Sequence, residues 1–251
     1  MDDEQLFAIA QEGLRKALTA PLEDFDYFSE EDRIKLNPQI EEVVNQHFKI
    51  MEGADLDAKK EVLLVHVLKN YGIVKNEEAS NSDKGMAFIK ALGYAEGILR
   101  LDLDDPNSYV LMGTLYFPDA SYVPLSVRLY RRAIQLDPEN ITAHLNIGTV
   151  LHYFDLAGEA IPFLQKAVDL EEKLNPNNKS TDIQEILKLR REIHRDLGIC
   201  YFSEGKLEKA LPYFQKAFDT NPHDPDVKQY LAACQKTLNI ARIRRQKPGM
   251  N

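Results

Sequence analysis

The sequence predicts an all-α protein built from stacked helix-turn-helix units, and three observations carry that prediction. A glycine recurs in the same setting at Gly113 in YVLMGTLYF, Gly148 in HLNIGTVLHYF and Gly198 in LGICYFSEG. Its neighbours correspond: Met112, Ile147 and Leu197 precede it, and Tyr116, Leu151 and Tyr201 follow three residues on. Downstream, Ala160 answers to Ala210, Leu164 and Tyr130 to Phe214, and Ala133 and Ala167 to Ala217, with the closures LDP (136–138) and TNP (220–222). Self-similarity at about 34 residues marks helix-turn-helix units that stack on one another.

The glycine needs a reason. Inside a helix it costs about 1 kcal/mol relative to alanine, so three aligned copies require an offset. A missing side chain lets the paired helix approach closely, and Ala210 and Ala217 leave the same gap from the other side. A small-residue seam flanked by Leu, Tyr and Phe reads as helix packing.

These residues resemble the tetratricopeptide repeat family, whose pattern is an aromatic, then Leu-Gly, then Tyr, then Ala, Phe, Ala and Pro. The resemblance implies an α-solenoid, a right-handed superhelix of stacked helix pairs. It covers residues 106–224 well, 57–105 weakly and 1–56 not at all.

Residues 1–56 form an N-terminal helical extension. Leu6, Ile9, Ala10, Leu14, Ala17 and Leu18 share one face of a helix over 3–19, and Ile40, Val43, Val44, His47, Phe48 and Met51 form a stripe over 38–51, after the Asn37-Pro38 start. The acidic-aromatic stretch LEDFDYFSEED (22–32) between them either folds back as a self-ligand or is a surface loop with a short helix started by Ser29. Residues 57–105 are a degenerate unit with a helix over 58–72, a polar loop over 74–85, and a second helix carrying Ala91, Ala95 and Ile98 on its seam.

The first full unit spans 106–140 and turns through FPDASYVP. The second (141–178) and third (179–224) carry an insertion of about sixteen residues, because Gly148 and Gly198 stand 50 apart. That insertion is expected to lengthen the second helix of one unit and the first helix of the next. Asn175-Pro176-Asn177-Asn178 is turn chemistry, Thr181 with Gln184 reads as a capping box, and Ile186, Leu189, Ile193 and Leu197 keep helical spacing. Asp224-Pro225 opens a capping helix over 225–241 that covers the last apolar face. Residues 242–251 are a basic tail, with ARIRRQK (241–247) expected to fray.

Composition narrows the function. A net charge of −9 argues against general affinity for nucleic acid or an anionic membrane. The opening MDDEQLFAIAQEGLRK is acidic where a secretory signal would be basic, and Cys200 and Cys234 alone give no disulfide framework. A cytoplasmic protein is expected. The chain has no phosphate-binding glycine loop and no HExxH, so no enzyme activity, cofactor or metal site is expected. DLDDPN (102–107) lacks the glycine and terminal glutamate of a calcium loop, and Asp105 is expected to cap the next helix. His144 and His194 fall in the family's tryptophan slot and read as core, as do the two thiols.

The resemblance also implies a concave groove lined by the first helix of each unit. The slots facing it are Val110, Thr114 and Phe117, then Leu145, Asn146, Thr149, His152 and Tyr153, then Arg191, Arg195, Ile199 and Phe202, with Gln229 from the cap. Phe117, His152, Tyr153 and Phe202 form an aromatic row at one end of these helices, and Lys188, Arg191 and Arg195 share a basic face. Relatives that clamp acidic C-terminal peptides use two lysines, an arginine and two asparagines. Here only Asn146 matches, while Val110, Thr114, Glu192 and Asp196 depart from the pattern. The expected function is a protein-binding adaptor or scaffold gripping a peptide or helix with apolar anchors and flanking acids. Two alternatives stand beside it: a dedicated assembly or secretion chaperone, and a homo-oligomer formed through the N-terminal helices.

Overall fold

The computed structural model describes residues 3–22, 25–29, 38–173 and 183–246, and among these every regular element is helical. The chain divides into two compact units, Met1–Asn140 and Ile141–Asn251.

The first unit contains α1 (Asp3–Thr19), α2 (Pro38–Ile50), α3 (Leu56–Lys75), α4 (Asn81–Leu101), α5 (Pro106–Tyr116) and α6 (Val123–Leu136). Local chemistry sets the starts. Asp55 caps α3 by accepting from the Ala58 N–H at 2.8 Å, and Asp105 opens α5 by accepting from the Asn107 N–H, with Pro106 in the first turn. The polar loop is shorter than the sequence implies. Ser80 accepts from the Asp83 N–H at 3.1 Å, so α4 begins at Asn81 and only 76–80 remain outside helix. Lys60 of α3 reaches Asp102 and Asp105 at 2.8 and 3.2 Å, tying this helix to the turn before α5.

The second unit contains α7 (Ile141–Tyr153), α8 (Ala157–Glu171), α9 (Ile183–Ser203), α10 (Leu207–Thr220) and α11 (Pro225–Gln246). The expected lengthening of two helices is corrected here. α8 has 15 residues against 14 in α6 and α10, and the extra length lies in α9, at 21 residues. The end of α8 is clamped: buried Glu171 accepts from Arg190 Nε at 2.7 Å and pairs with its Nη2 at 2.6 Å. The turn at 175–178 and Thr181 lie outside the described residues.

α11 is also longer than expected. It runs to Gln246, so residues 241–246 continue the helix rather than fray. Val227, Leu231, Cys234 and Leu238 are buried at helical spacing and anchor it, and Ala241, Arg242, Arg244, Arg245 and Gln246 are strong helix formers.

The glycine seam sits where the helix pairs meet. A Cβ on Gly113 would lie 2.6 Å from the Tyr130 ring and one on Gly198 2.8 Å from Phe214, while Gly148 abuts Leu164 in the same way. These partners are buried side chains in packed pairs, so they have little room to retreat. The turns that follow differ. Gly205 takes φ 69° after α9, while Asp155 occupies the same left-handed region at φ 56° after α7. Aspartate is among the few side-chain-bearing residues that adopt it readily.

The acidic-aromatic stretch resolves toward the folded-back reading over residues 25–29. Tyr27 is 1% exposed, donates to Glu96 Oε1 at 2.6 Å and shares a hydrogen bond with the Tyr116 hydroxyl at 2.8 Å. Phe25 lies under the Arg128 guanidinium at 4.8 Å, and Phe28 faces Arg100 at 5.3 Å. Ser29 ends a short 3₁₀ turn (Tyr27–Ser29), in which Asp26 accepts from the Phe28 N–H with its side chain and from the Ser29 N–H with its carbonyl, while a helix started by Ser29 would lie outside the described residues. α1 packs on α6, where Arg131 bonds the Ala17 and Ala20 carbonyls at 2.5 and 2.8 Å.

Gly198→Leu is expected to destabilise the protein by about 1–3 kcal/mol through overpacking against Phe214. Cys200→Ser should cost less, and paired thermal melts check the order. Tyr27→Phe removes donation to a buried carboxylate, and a denaturant titration should show a loss of about 1–3 kcal/mol.

Candidate functional site

α7, α9 and α11 of the second unit enclose an open groove of about 490 Å³. Thr149, His152 and Tyr153 come from α7, and Arg195, Ile199 and Phe202 from α9, alongside Asp196. α11 supplies Asp226, Gln229, Tyr230 and Ala233. These α11 positions fall at i, i+3, i+4 and i+7, one face of a helix.

The floor is packed and the rim is open. Ile199 is 8% exposed, and Phe202 meets Tyr230 edge-on at 6.5 Å and Phe214 at 6.3 Å. Tyr230 stacks on Phe214 at 5.6 Å, so the groove wall is continuous with the glycine seam beneath it. Tyr153, by contrast, is 68% exposed and touches Phe154 edge-on at 5.3 Å.

Asp196 is the electrostatic centre. Its carboxylate is almost fully buried, accepts from Thr149 Oγ1 at 2.8 Å, and receives Arg195 Nε and Nη2, both at 2.8 Å. Burial acts to lower the Arg195 pKa, but Asp196, Glu192 and Asp224 reverse this and hold the guanidinium charged. Asp196 therefore bridges α7 and α9 while fixing the arginine at the groove wall.

The remaining expected residues lie elsewhere. Leu145 is buried, and neither it nor Asn146 lines the groove. Arg191 is placed toward Asp224 at 3.7 Å and Glu192 at 4.0 Å, so the basic face is partly neutralised within the chain. Lys188 is exposed. Val110, Thr114 and Phe117 belong to the first unit: Val110 is buried, and Thr114 donates to the Val110 carbonyl at 2.9 Å and accepts from Tyr130. The expected single row thus separates into residues of two units. Asp226 and Tyr230 were missed, although both share the helix face of Gln229.

The histidines in the tryptophan slot are interior. His144 lies 6.3 Å from Phe163 and His194 5.9 Å from Tyr213, with the His194 pKa lowered by burial. Both cysteines are free and buried, and burial pushes the Cys200 thiol up to about 12. Among the described residues no cluster of three His, Cys, Asp or Glu side chains is arranged to hold a metal, and no helix is long and apolar enough to cross a membrane.

A tetratricopeptide repeat family model matches residues 192–224, the segment that holds Gly198, Ala210, Phe214, Ala217 and the closing Pro222. That segment is a tetratricopeptide repeat. Among solved structures, PilF of Pseudomonas aeruginosa superposes with a TM-score of 0.54 at 18% identity over 74% of this chain and 73% of that one. MamA of Desulfovibrio magneticus RS-1 gives 0.50 at 19% identity over 72% and 90%. Both likenesses are of fold. No curated protein matches by sequence. Tetratricopeptide repeats belong to the solenoids that present extended concave surfaces for binding other proteins.

Asp196→Ala should leave Arg195 without its charge partner at the groove wall and free the Thr149 hydroxyl. A loss of about 1–3 kcal/mol in chemical denaturation is expected, partly recovered by Asp196→Asn.

Proposed function

We propose that this protein is a tetratricopeptide repeat adaptor or scaffold whose α7–α9–α11 groove grips a peptide or helical segment of a partner protein. The observation that carries the reading is the pairing of a preformed apolar floor, Ile199 and Phe202, with the exposed ring of Tyr153 at its rim. Aromatic anchors dominate binding energies where a few residues carry most of the affinity, and the groove already excludes the cost of ordering its own floor.

The electrostatics shape the ligand. Arg195 presents a charge that Asp196 already half neutralises, so partner acids gain less from it than from a free guanidinium. Asp226, from α11, adds negative potential to the groove lining. Bulky apolar side chains therefore anchor the segment, and an acid near Arg195 supplies register more than affinity. A peptide relying on a free C-terminal carboxylate has no matching cluster, since Glu192 and Asp196 stand where that clamp needs cations. A dedicated assembly or secretion chaperone would use the same groove, with a longer helix as its ligand.

Tyr153→Glu tests the reading without disturbing the floor. Its melting temperature should stay within a few degrees of wild type while capture of partner protein from native lysate is lost. Arg195→Glu should weaken capture and flatten its salt dependence. Capture that survives Tyr153→Glu, Arg195→Glu and Gln229→Lys alike would place the binding surface outside this groove.

A further inference from the structure

α3 is apolar on two sides. The run EVLLVHVL (61–68) buries Leu63 and Val67 at 0% and 1% exposure, yet leaves Val65 and Leu68 each 59% and Val62 41% exposed. A helix at the surface of a folded protein ordinarily carries one apolar stripe, so a second stripe calls for a second neighbour.

The exposed stripe has an internal symmetry. At 3.6 residues per turn, Glu61, Val62, Val65, Leu68, Lys69 and Gly72 fall on one face centred on Val65. Val62 and Leu68 stand three residues to either side of the centre. Glu61 and Lys69 stand four to either side, with opposite charge. Gly72 and Ala58 stand seven to either side, and both are small. Neither Glu61 nor Lys69 has an ion-pair partner among the described residues, and a Cβ added at Gly72 would meet nothing within 4 Å.

We propose that α3 is a self-association surface, which pairs antiparallel with α3 of a second copy of this chain about a two-fold axis at Val65. In that register each Val62 faces the partner's Leu68 and each Glu61 faces the partner's Lys69, giving two ion pairs at the rim of an aliphatic seam. Gly72 opposite the partner's Ala58 lets the helices close at both ends. A parallel pairing would set Glu61 on Glu61 and Lys69 on Lys69, so the charges select the antiparallel arrangement. The contact is isologous, as two-fold dimers require. One helix face offers less than the roughly 800 Å² per partner of a standard interface, which makes the dimer concentration-dependent.

Sedimentation velocity on the full chain over a concentration series tests this. The expected result is a rise from the mass of one chain, 28.7 kDa, toward twice that value. Val65→Glu should hold the protein at one chain with an unchanged helical spectrum. Glu61→Lys should weaken the dimer about tenfold, and Glu61→Lys with Lys69→Glu in one chain should restore it. Mixing the two single variants should produce a heterodimer tighter than either alone. A single-chain mass at every concentration, a dimer indifferent to Val65→Glu, or single variants that fail to associate on mixing would each overturn the proposal.

Discussion

Close approach between the two helices of a pair is the constraint on which the rest of this structure depends. Gly113, Gly148 and Gly198 sit where a Cβ would collide with Tyr130, Leu164 and Phe214. Each glycine gives up helix propensity of about 1 kcal/mol and gains a contact between a large side chain and bare backbone. That contact sets the distance between the helices of a pair. It also sets which faces remain outward, because the residues beside the glycine are consumed by the seam.

The groove follows from that division of labour. In the second unit, one face of α9 holds Gly198 against Phe214 of α10, and another presents Arg195, Ile199 and Phe202. The two faces are not independent, since Phe214 touches both Gly198 and, through Tyr230, the groove wall. Asp196 adds a polar lock between α7 and α9 by joining Thr149 to Arg195. A buried carboxylate with three donors is costly to disturb, which makes the groove a rigid receptor. In the first unit, Tyr27 closes a buried hydrogen-bond chain with Glu96 and Tyr116.

Much of the fold was legible because its signals are local. The limits of α1 and the caps at Asp105 and Asp224 rest on neighbouring residues within one or two turns, where spacing translates directly into a face. The groove was legible in part, since the family resemblance implied Thr149, His152, Tyr153, Arg195, Ile199, Phe202 and Gln229 among its lining. Two expectations failed for a shared reason. The lengthening assigned to α8 and the end assigned to α11 depended on where a helix stops, and Glu171 bound by Arg190 decides the first while the buried row ending at Leu238 supports the second.

The sequence by itself determined that this protein is helical and that its helices pair through a glycine-alanine seam. Those properties follow from periodicity and side-chain volume, which are readable one segment at a time. Only the tertiary structure decided that Tyr27 is a buried donor and not a loop residue, that Asp196 claims Arg195 before any ligand can, and that Asp226 and Tyr230 complete the groove. Each of these joins residues on separate elements. Hydrogen bonds and ion pairs gain their strength from burial and geometry, and neither quantity exists until the helices have packed.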